Sequence, residues 1–429
     1  MQPAEAKDRD HPNPYRLSSL RSIVFAMRSQ LLACLVLFGI SIPLSAQAPP
    51  SIHRLDGTTI TADQAKNIAD AELDSNHVMG AQLAILNGGH MVWIYTSGQR
   101  NAEMRLPMTD GTTIWAASIT KGVFATWVMH LAEQHRIDLD QPIAQMLSHP
   151  LNQYPIYRDS AADLVRDPQW QQVTPRIVLS HTSGLANMLM MEPGKKLRLH
   201  FAPGTRFAYS GEGLDILQFT LEKKLNEPLD VAMQRDIFAP LGMTRTSMIW
   251  RPDFFDNTAL RYSANGRYLD TSHKDHPRAA GSMLTTIRDL GVFTEALVAN
   301  KILKPETTAK MLSPQIAIHS AHQFPTFAPD TSSEGEKIGL AYGLGWGLLT
   351  KTPYGPAFFK EGHGDGSENY LVCFTQSGTC MILLTNSENG DLAFRPLLEK
   401  LIGDNVTPLE WEGYTREGIP QKGDPATPK

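Results

Sequence analysis

Gln82-Leu83-Ala84-Ile85-Leu86, then Asn87-Gly88-Gly89, then Met91-Val92-Trp93-Ile94-Tyr95: two apolar runs meet at a turn. Asn-Gly between such runs predicts a β-hairpin, because the turn needs positive φ that Asn and Gly adopt cheaply. The pattern recurs near the other end, where Tyr370-Leu371-Val372-Cys373-Phe374 and Met381-Ile382-Leu383-Leu384 flank Thr375-Gln376-Ser377-Gly378. Outward from the hairpins, Thr61 to Asn76 predicts a helix capped near Thr61 or Asp63. A second predicted helix runs from Leu392 to about Ile402, with Pro396 in its first turns, where proline is tolerated. Between the hairpins lies a long, mostly helical middle. The order helix, strands, helical middle, strands, helix predicts an α/β (α+β) fold: an antiparallel sheet flanked by helices, with an inserted mostly helical lobe.

The 429 residues are 42% hydrophobic and 19% charged, which is ordinary globular composition and excludes a disordered or fibrous chain. The net charge is −5 with no basic stripe, so nucleic acid is not an expected partner. Residues 1–48 read as a signal peptide with an N-terminal extension. Arg21 and Arg28 precede the apolar run Leu31 to Ile40, and small residues follow at Ser45, Ala46 and Ala48. Met27 offers a start that gives a short basic region, and cleavage fits after Ala46 or Ala48. The expected location is therefore exported, periplasmic or secreted. The competing reading is an uncleaved N-terminal anchor, the one route to membrane association. A single domain is expected over 55–405. A C-terminal tail is expected over 406–429, polar and rich in Pro and Gly from Gly413 on. With Cys34 in the signal, Cys373 and Cys380 remain. They lie opposite each other across the second hairpin, either as a disulfide or as two small buried hydrophobes. No metal-ligand spacing accompanies them, and His130 and His135 read as structural or solvated.

Three stretches carry chemistry. In Ala116-Ala117-Ser118-Ile119-Thr120-Lys121, Val123, Phe124, Trp127, Val128 and Leu131 come next at helical spacing. Residues three apart share a helix face, so the Lys121 amine reaches the Ser118 hydroxyl. Free N–H groups at the helix start favour an oxyanion there. Phe207-Ala208-Tyr209-Ser210-Gly211 precedes a helix lined by Leu214, Leu217, Leu221 and Leu225, which places the Tyr209 phenol at a loop tip. A nearby ammonium would favour its phenolate. Glu361-Gly362-His363-Gly364-Asp365-Gly366-Ser367 puts glycines beside a strand, where a substrate can approach the backbone. Each motif alone has a bland reading: a capping serine, a packed tyrosine, a Gly-rich turn.

In this order the chain resembles the β-lactamase-related serine hydrolases: class C β-lactamases, D-alanyl-D-alanine carboxypeptidases and family VIII esterases. The resemblance runs from about Val78 to Gly390. Ser118-Ile119-Thr120-Lys121 is similar to the family's Ser-x-x-Lys, Tyr209-Ser210-Gly211 to its Tyr-x-Asn, and His363-Gly364-Asp365 to its Lys/His-x-Gly. Leu179-Ser180-His181-Thr182-Ser183-Gly184-Leu185 and Tyr342-Gly343-Leu344-Gly345-Trp346-Gly347 match scaffold segments. The resemblance implies a β-lactamase/transpeptidase-like fold with the site between the sheet and the helical lobe. It also implies that His181 and Ser183 are structural, in a segment that starts a helix by the cleft. The α/β-hydrolase elbow is absent, since no serine has glycine two before and two after it.

The chemistry that the resemblance implies is acyl transfer, with Ser118 as nucleophile and Lys121 and Tyr209 as proton handlers. The implied oxyanion hole is the N–H groups of Ser118 and Gly366. His363, Gly364, Asp365, Ser210 and Gly211 are the expected substrate-binding residues. No metal or organic cofactor is required. The substrate is a small ester, amide or cell-wall peptide, with an esterase favoured. β-lactamase, carboxypeptidase or D-aminopeptidase activity, or a non-catalytic penicillin-recognising or cell-wall-binding role, are the alternatives. Gly211 replaces the family's Asn and so removes an amide, for which Glu212 or Ser210 is a candidate substitute. Asp365 replaces its Gly and adds a carboxylate.

Overall fold

A computed structural model of the protein describes residues 51–270 and 273–414. The segment expected to be a signal peptide, and the expected tail from residue 415 on, lie outside the described residues. Helix α1 (Ala62–Ser75) opens on a capping box. The Thr61 side chain accepts from Gln64 N–H at 3.2 Å, and the Gln64 side chain accepts from Thr61 N–H at 2.8 Å. These bonds satisfy two donors of the first turn and settle the cap on Thr61.

The first hairpin forms as expected from β1 (Gly80–Asn87) and β2 (His90–Asn101), with β3 (Leu106–Pro107) beyond it. The chain then leaves the sheet. Helices α2 (Ile119–Glu133), α3 (Gly211–Leu225) and α4 (Ile287–Val298), with many short turns, make up the helical part. It returns through β4 (Ile316–Ala317), β5 (Leu340–Tyr342), β6 (Gly347–Leu349), β7 (Ala357–Gly364), β8 (Ser367–Phe374) and β9 (Thr379–Thr385). The sheet order is β4-β5-β6-β7-β8-β9-β1-β2-β3, antiparallel at every step. The two hairpins that define the fold in sequence are thus joined edge to edge, β9 against β1.

Both faces of this sheet are covered. Ala84, Leu86, Leu371, Cys373, Ile382 and Leu384 join the core that contains α2. Their neighbours Leu83, Ile85, Val372, Phe374, Met381 and Leu383 join a second core with α1 and the C-terminal helical segment. Strict alternation sorts the two sets, so a one-residue slip would exchange them. Helix α2 differs from the one-faced helix expected: it is buried nearly all round. Its Gly122 packs against the Trp346 ring, where a Cβ would come within 2.6 Å.

The second C-terminal helix forms as three short turns from Glu388 to Ile402 rather than one smooth helix. The described part of the tail expected over 406–429 is packed against the domain. Thr407, Leu409, Glu412 and Tyr414 are buried, and Leu409–Glu412 is helical. The segment around Ser180 ends the helix Pro175–Leu179 instead of starting one. Among the described residues no helix is long and apolar enough to cross a membrane.

Cys373 and Cys380 pair directly across β8 and β9, with Cα atoms 4.0 Å apart, and form a disulfide. Alkylation of denatured, unreduced protein, with mass analysis of their peptides, should find both thiols blocked until a reductant is added. Two alkylated cysteines without reductant would contradict the pairing.

Candidate active site

The site is built where the start of α2 crosses β7. Ala117 has a φ of 45°, a left-handed value that costs a residue with a Cβ. That bend ends the short strand Ile114–Trp115 and sets Ser118 at the head of α2. Asn369 Nδ2 and Ser367 Oγ of β8 bond Trp115 O at 3.1 and 2.8 Å, which ties this elbow to the sheet. Ser118 is half-buried, and its Oγ receives a hydrogen bond from Lys121 Nζ at 2.8 Å. Lys121 also donates to Ala280 O. Asp215 on α3 fixes that loop by accepting Ala280 N–H at 3.1 Å and pairing with Arg278.

Tyr209 lies across the site. It is buried, and Lys121 Nζ stands 5.0 Å from its ring centroid. His181 stacks on the ring from behind, with centroids 4.4 Å apart, and its Nδ1 accepts Ser210 N–H at 3.1 Å. Burial, then the charges of Lys360 and Lys121, hold His181 well below its usual range, so it is neutral. Ser183 Oγ accepts Leu185 N–H at 3.2 Å. The structure thus keeps both residues in supporting positions.

A residue not anticipated completes the group. Lys360 on β7 is wholly buried and donates to the Tyr209 hydroxyl at 3.0 Å, with Glu361 2.6 Å from its Nζ. Lys360-Glu361-Gly362 therefore occupies the Lys-x-Gly position, three residues before His363-Gly364-Asp365. Strand alternation explains the shift. Lys360, Gly362 and Gly364 share one face of β7. A Cβ on Gly362 would lie 2.4 Å from Ala116 O, and one on Gly364 would lie 2.4 Å from the Trp115 ring. The glycines let the serine elbow lie on the strand. The signal in the sequence is a lysine inside the apolar run that begins at Ala357, a placement that calls for a partner.

The other expected substrate contacts move accordingly. His363 Nδ1 pairs with Glu368 at 2.5 Å, and its ring is half exposed. Asp365, exposed, and Gly366, buried, form the two-residue turn between β7 and β8, where Asp365 O accepts from Arg261. Gly366 packs on Arg261, Tyr262 and Leu269 rather than on the serine elbow, so it is misplaced as an oxyanion donor. Ser210 is spent as a cap: its Oγ accepts Gly213 N–H and donates to Ala186 O, both at 3.0 Å. Gly211 N–H goes to Asn187. Glu212 Oε1 accepts Leu189 N–H at 2.6 Å, so both suggested substitutes are tied to the backbone of Ala186–Leu189.

Electrostatics separates the roles. Burial, then Lys360, lowers Lys121 to about 7, which leaves a neutral amine accessible near neutral pH. Burial, then Glu361, holds Tyr209 well above its usual range, so it is a phenol and not the phenolate that a nearby ammonium alone would favour. Among the described residues no group of three or more His, Cys, Asp or Glu side chains is arranged to hold a metal ion.

Residues 65–403 match the β-lactamase family model. Esterase EstB of Burkholderia gladioli is 27% identical over 225 residues, 46% of this chain and 54% of that protein. The chain thus spans about half the length of that relative. Penicillin-binding protein 4 of Amycolatopsis lactamdurans is 24% identical over 360 residues, 78% of this chain and 88% of that protein. Among solved structures, the D-amino acid amidase from Ochrobactrum anthropi SV3 superposes with a TM-score of 0.60 at 23% identity, covering 80% of this chain and 96% of its own.

Ser118→Ala should abolish covalent labelling by a fluorophosphonate probe, and Ser183→Ala should preserve it. Labelling lost only in the Ser183 variant would reverse the assignment. The labelling rate should rise as pH passes through about 7, since only deprotonated Lys121 can accept the serine proton. A rate flat from pH 5 to 9 would remove Lys121 as the base.

Proposed function

The chain belongs to the β-lactamase family of serine hydrolases, and on that footing we propose that it is an esterase that works through a Ser118 acyl-enzyme and handles β-lactams poorly. The supporting observation is Gly211. The resembled β-lactamases and carboxypeptidases use an Asn amide there to bond the carbonyl of an acylamino side chain. Gly211 has none, and its space is filled: a Cβ would lie 2.6 Å from Asn187 O and 3.0 Å from Asn187 Oδ1. A carbonyl left unpaired costs about 1–3 kcal/mol, roughly 5- to 150-fold in rate where the transition state feels it. A simple ester carries no such carbonyl. Phe324 adds an apolar surface for an acyl chain, 42% exposed and edge-on to Tyr209 with centroids 5.3 Å apart. A relative named an esterase agrees with this reading.

In the proposed reaction neutral Lys121 takes the Ser118 proton across their 2.8 Å hydrogen bond as Oγ attacks the ester carbonyl. The Tyr209 oxygen accepts from Lys360 and hydrogen-bonds with Ser118, and as a phenol it can pass its proton to the leaving oxygen. The proton taken by Lys121 returns through this pair to the leaving alkoxide, and water reverses the sequence in deacylation. For the oxyanion we place Ser118 N–H opposite His363 N–H. Counting back from Gly364 and Ser367, which close the turn, Glu361 and His363 turn their N–H groups away from β8. On that side β6 reaches no further than Phe359. The N-terminal segment leads us to place the enzyme outside the cytoplasm, which N-terminal sequencing of the mature protein would test.

On one preparation, kcat/KM for a short-chain p-nitrophenyl ester should exceed that for a chromogenic cephalosporin by at least about tenfold. A cephalosporin value equal to the ester value would overturn the preference. Asn187→Ala should leave that ratio within about threefold, since the preference is assigned to the amide missing at Gly211 and not to Asn187, whose Oδ1 accepts Gly211 N–H at 3.0 Å. A cephalosporin rate that collapses in this variant would show that Asn187 supplies the missing amide. Separately, Tyr209→Phe should lower turnover by ~10²–10⁴-fold with a smaller change in KM. Unchanged turnover would remove the phenol from the proton path.

A further inference from the structure

Behind Lys360 the polar groups continue into the protein. Glu361 Oε1 receives Lys360 Nζ and, at 3.1 Å, Gln323 Nε2. Across the sheet it pairs with Tyr370, whose hydroxyl goes to Glu412, and this brings the Glu361 carboxyl beside that of Glu412, on the short helix Leu409–Glu412 near the end of the described chain. Glu412 Oε2 accepts the Tyr370 hydroxyl at 2.5 Å. Both carboxyls are buried, and no protein donor reaches Glu412 Oε1. Two buried carboxylates in contact repel, and an orphan carboxylate oxygen costs about 1–3 kcal/mol or more. One proton on Oε1 removes both penalties. Every bond then runs in one direction: Tyr370 to Glu412, Glu412 to Glu361, with Lys360 donating both to Glu361 and to Tyr209.

We propose that Glu412 is a positioning residue, a carboxylic acid kept neutral so that it donates to Glu361 and thereby holds the Lys360 ammonium on the Tyr209 hydroxyl. This rests on the reading of Ser118, Lys121 and Tyr209 as the acylating set, and adds to it a residue from the C-terminal segment. The titratable groups facing the pair are consistent with it. Lys360 and Lys121 favour one anion here. Tyr342 and Tyr370 are held as phenols by burial and by these carboxylates, and Tyr414 by burial, then Glu368, then these two. Burial, then Glu361, holds Glu412 well above the carboxylate range. Burial acts on Glu361 the same way, but Lys360 prevails and keeps it ionised.

Glu412→Gln preserves the shape, the acceptor for Tyr370 and a donor to Glu361, whereas Glu412→Met removes both. On the full chain, the infrared difference spectrum of wild type minus Glu412→Gln at neutral pH should contain the C=O band of a protonated carboxylic acid. Glu368, which burial pushes up to about 8, is common to both proteins and cancels. Turnover of a p-nitrophenyl ester should fall about tenfold or more in Glu412→Met, with KM within about threefold, and should stay within about threefold of wild type in Glu412→Gln. No acid band in the difference spectrum overturns the proposal. So does a Glu412→Gln enzyme as impaired as Glu412→Met, or a folded Glu412→Met enzyme with full turnover. Should Glu412→Met fail to fold, the spectrum and Glu412→Gln still decide. Failure of the nucleophile assignment would appear as persistent labelling of Ser118→Ala and would leave the acid band unchanged.

Discussion

The site depends on two buried lysines facing one tyrosine. Lys121 and Lys360 stand 5.0 and 4.7 Å from the Tyr209 ring centroid, on different elements. Two ammonium groups in a poorly solvated pocket cannot both keep ordinary proton affinity. The asymmetry between them is set by one carboxylate. Glu361 touches Lys360 directly at 2.6 Å and acts on Lys121 only through space. Burial lowers Lys360 as well as Lys121, but contact with Glu361 opposes the shift at Lys360, which leaves Lys360 the cation and Lys121 the available base. Removing Glu361 from beside Lys360 would strand a buried charge, a loss of about 3–5 kcal/mol for a broken buried pair.

That arrangement requires the register of β7 to be held to the residue. Lys360, Gly362 and Gly364 must share the face that meets the serine elbow, and a slip of one would present Glu361 and His363 instead. The turn Asp365–Gly366, with Gly366 at a φ of 71°, fixes the register from one end. The bonds from Ser367 and Asn369 to Trp115 O fix it from the side. The disulfide at Cys373–Cys380 lies farther along β8, on the hairpin whose β9 joins β1. A rigid central sheet is thus what carries a lysine to within 3.0 Å of a phenol on another lobe.

Much of this is legible in sequence, for physical reasons that differ by element. The hairpins show because alternation and turn residues are local properties. Ser118, Lys121 and Tyr209 show because a helix start and a fixed spacing place them. Lys360 escapes because His363-Gly364-Asp365 imitates the same motif, and only the position of the turn, which fixes which glycines face Ala116, separates the two. Ser210 and Gly211 read as substrate contacts because nothing local reveals that Ala186 and Asn187 already use their polar groups. The helix at Leu409–Glu412 escapes because it is too short to have a period, and it is held by the burial of Leu409 and Tyr414.

The last of these has the widest consequence for how the fold serves the site. An active-site cation needs a counter-charge, and Glu361 supplies it by contact with Lys360 while reaching Lys121 only through space. Backing that carboxylate with a neutral acid lets it keep its charge while its remaining oxygen is satisfied. Such a donor comes from outside the sheet, because beside Glu361 strand β8 presents Tyr370, whose hydroxyl is given to Glu412, and β6 reaches no further than Phe359. The C-terminal segment is the element free to reach the outer face, and it does so over the core that also receives α1. The same apolar layer that closes the fold therefore shields the charges from water, and stability and proton handling rest on one piece of packing.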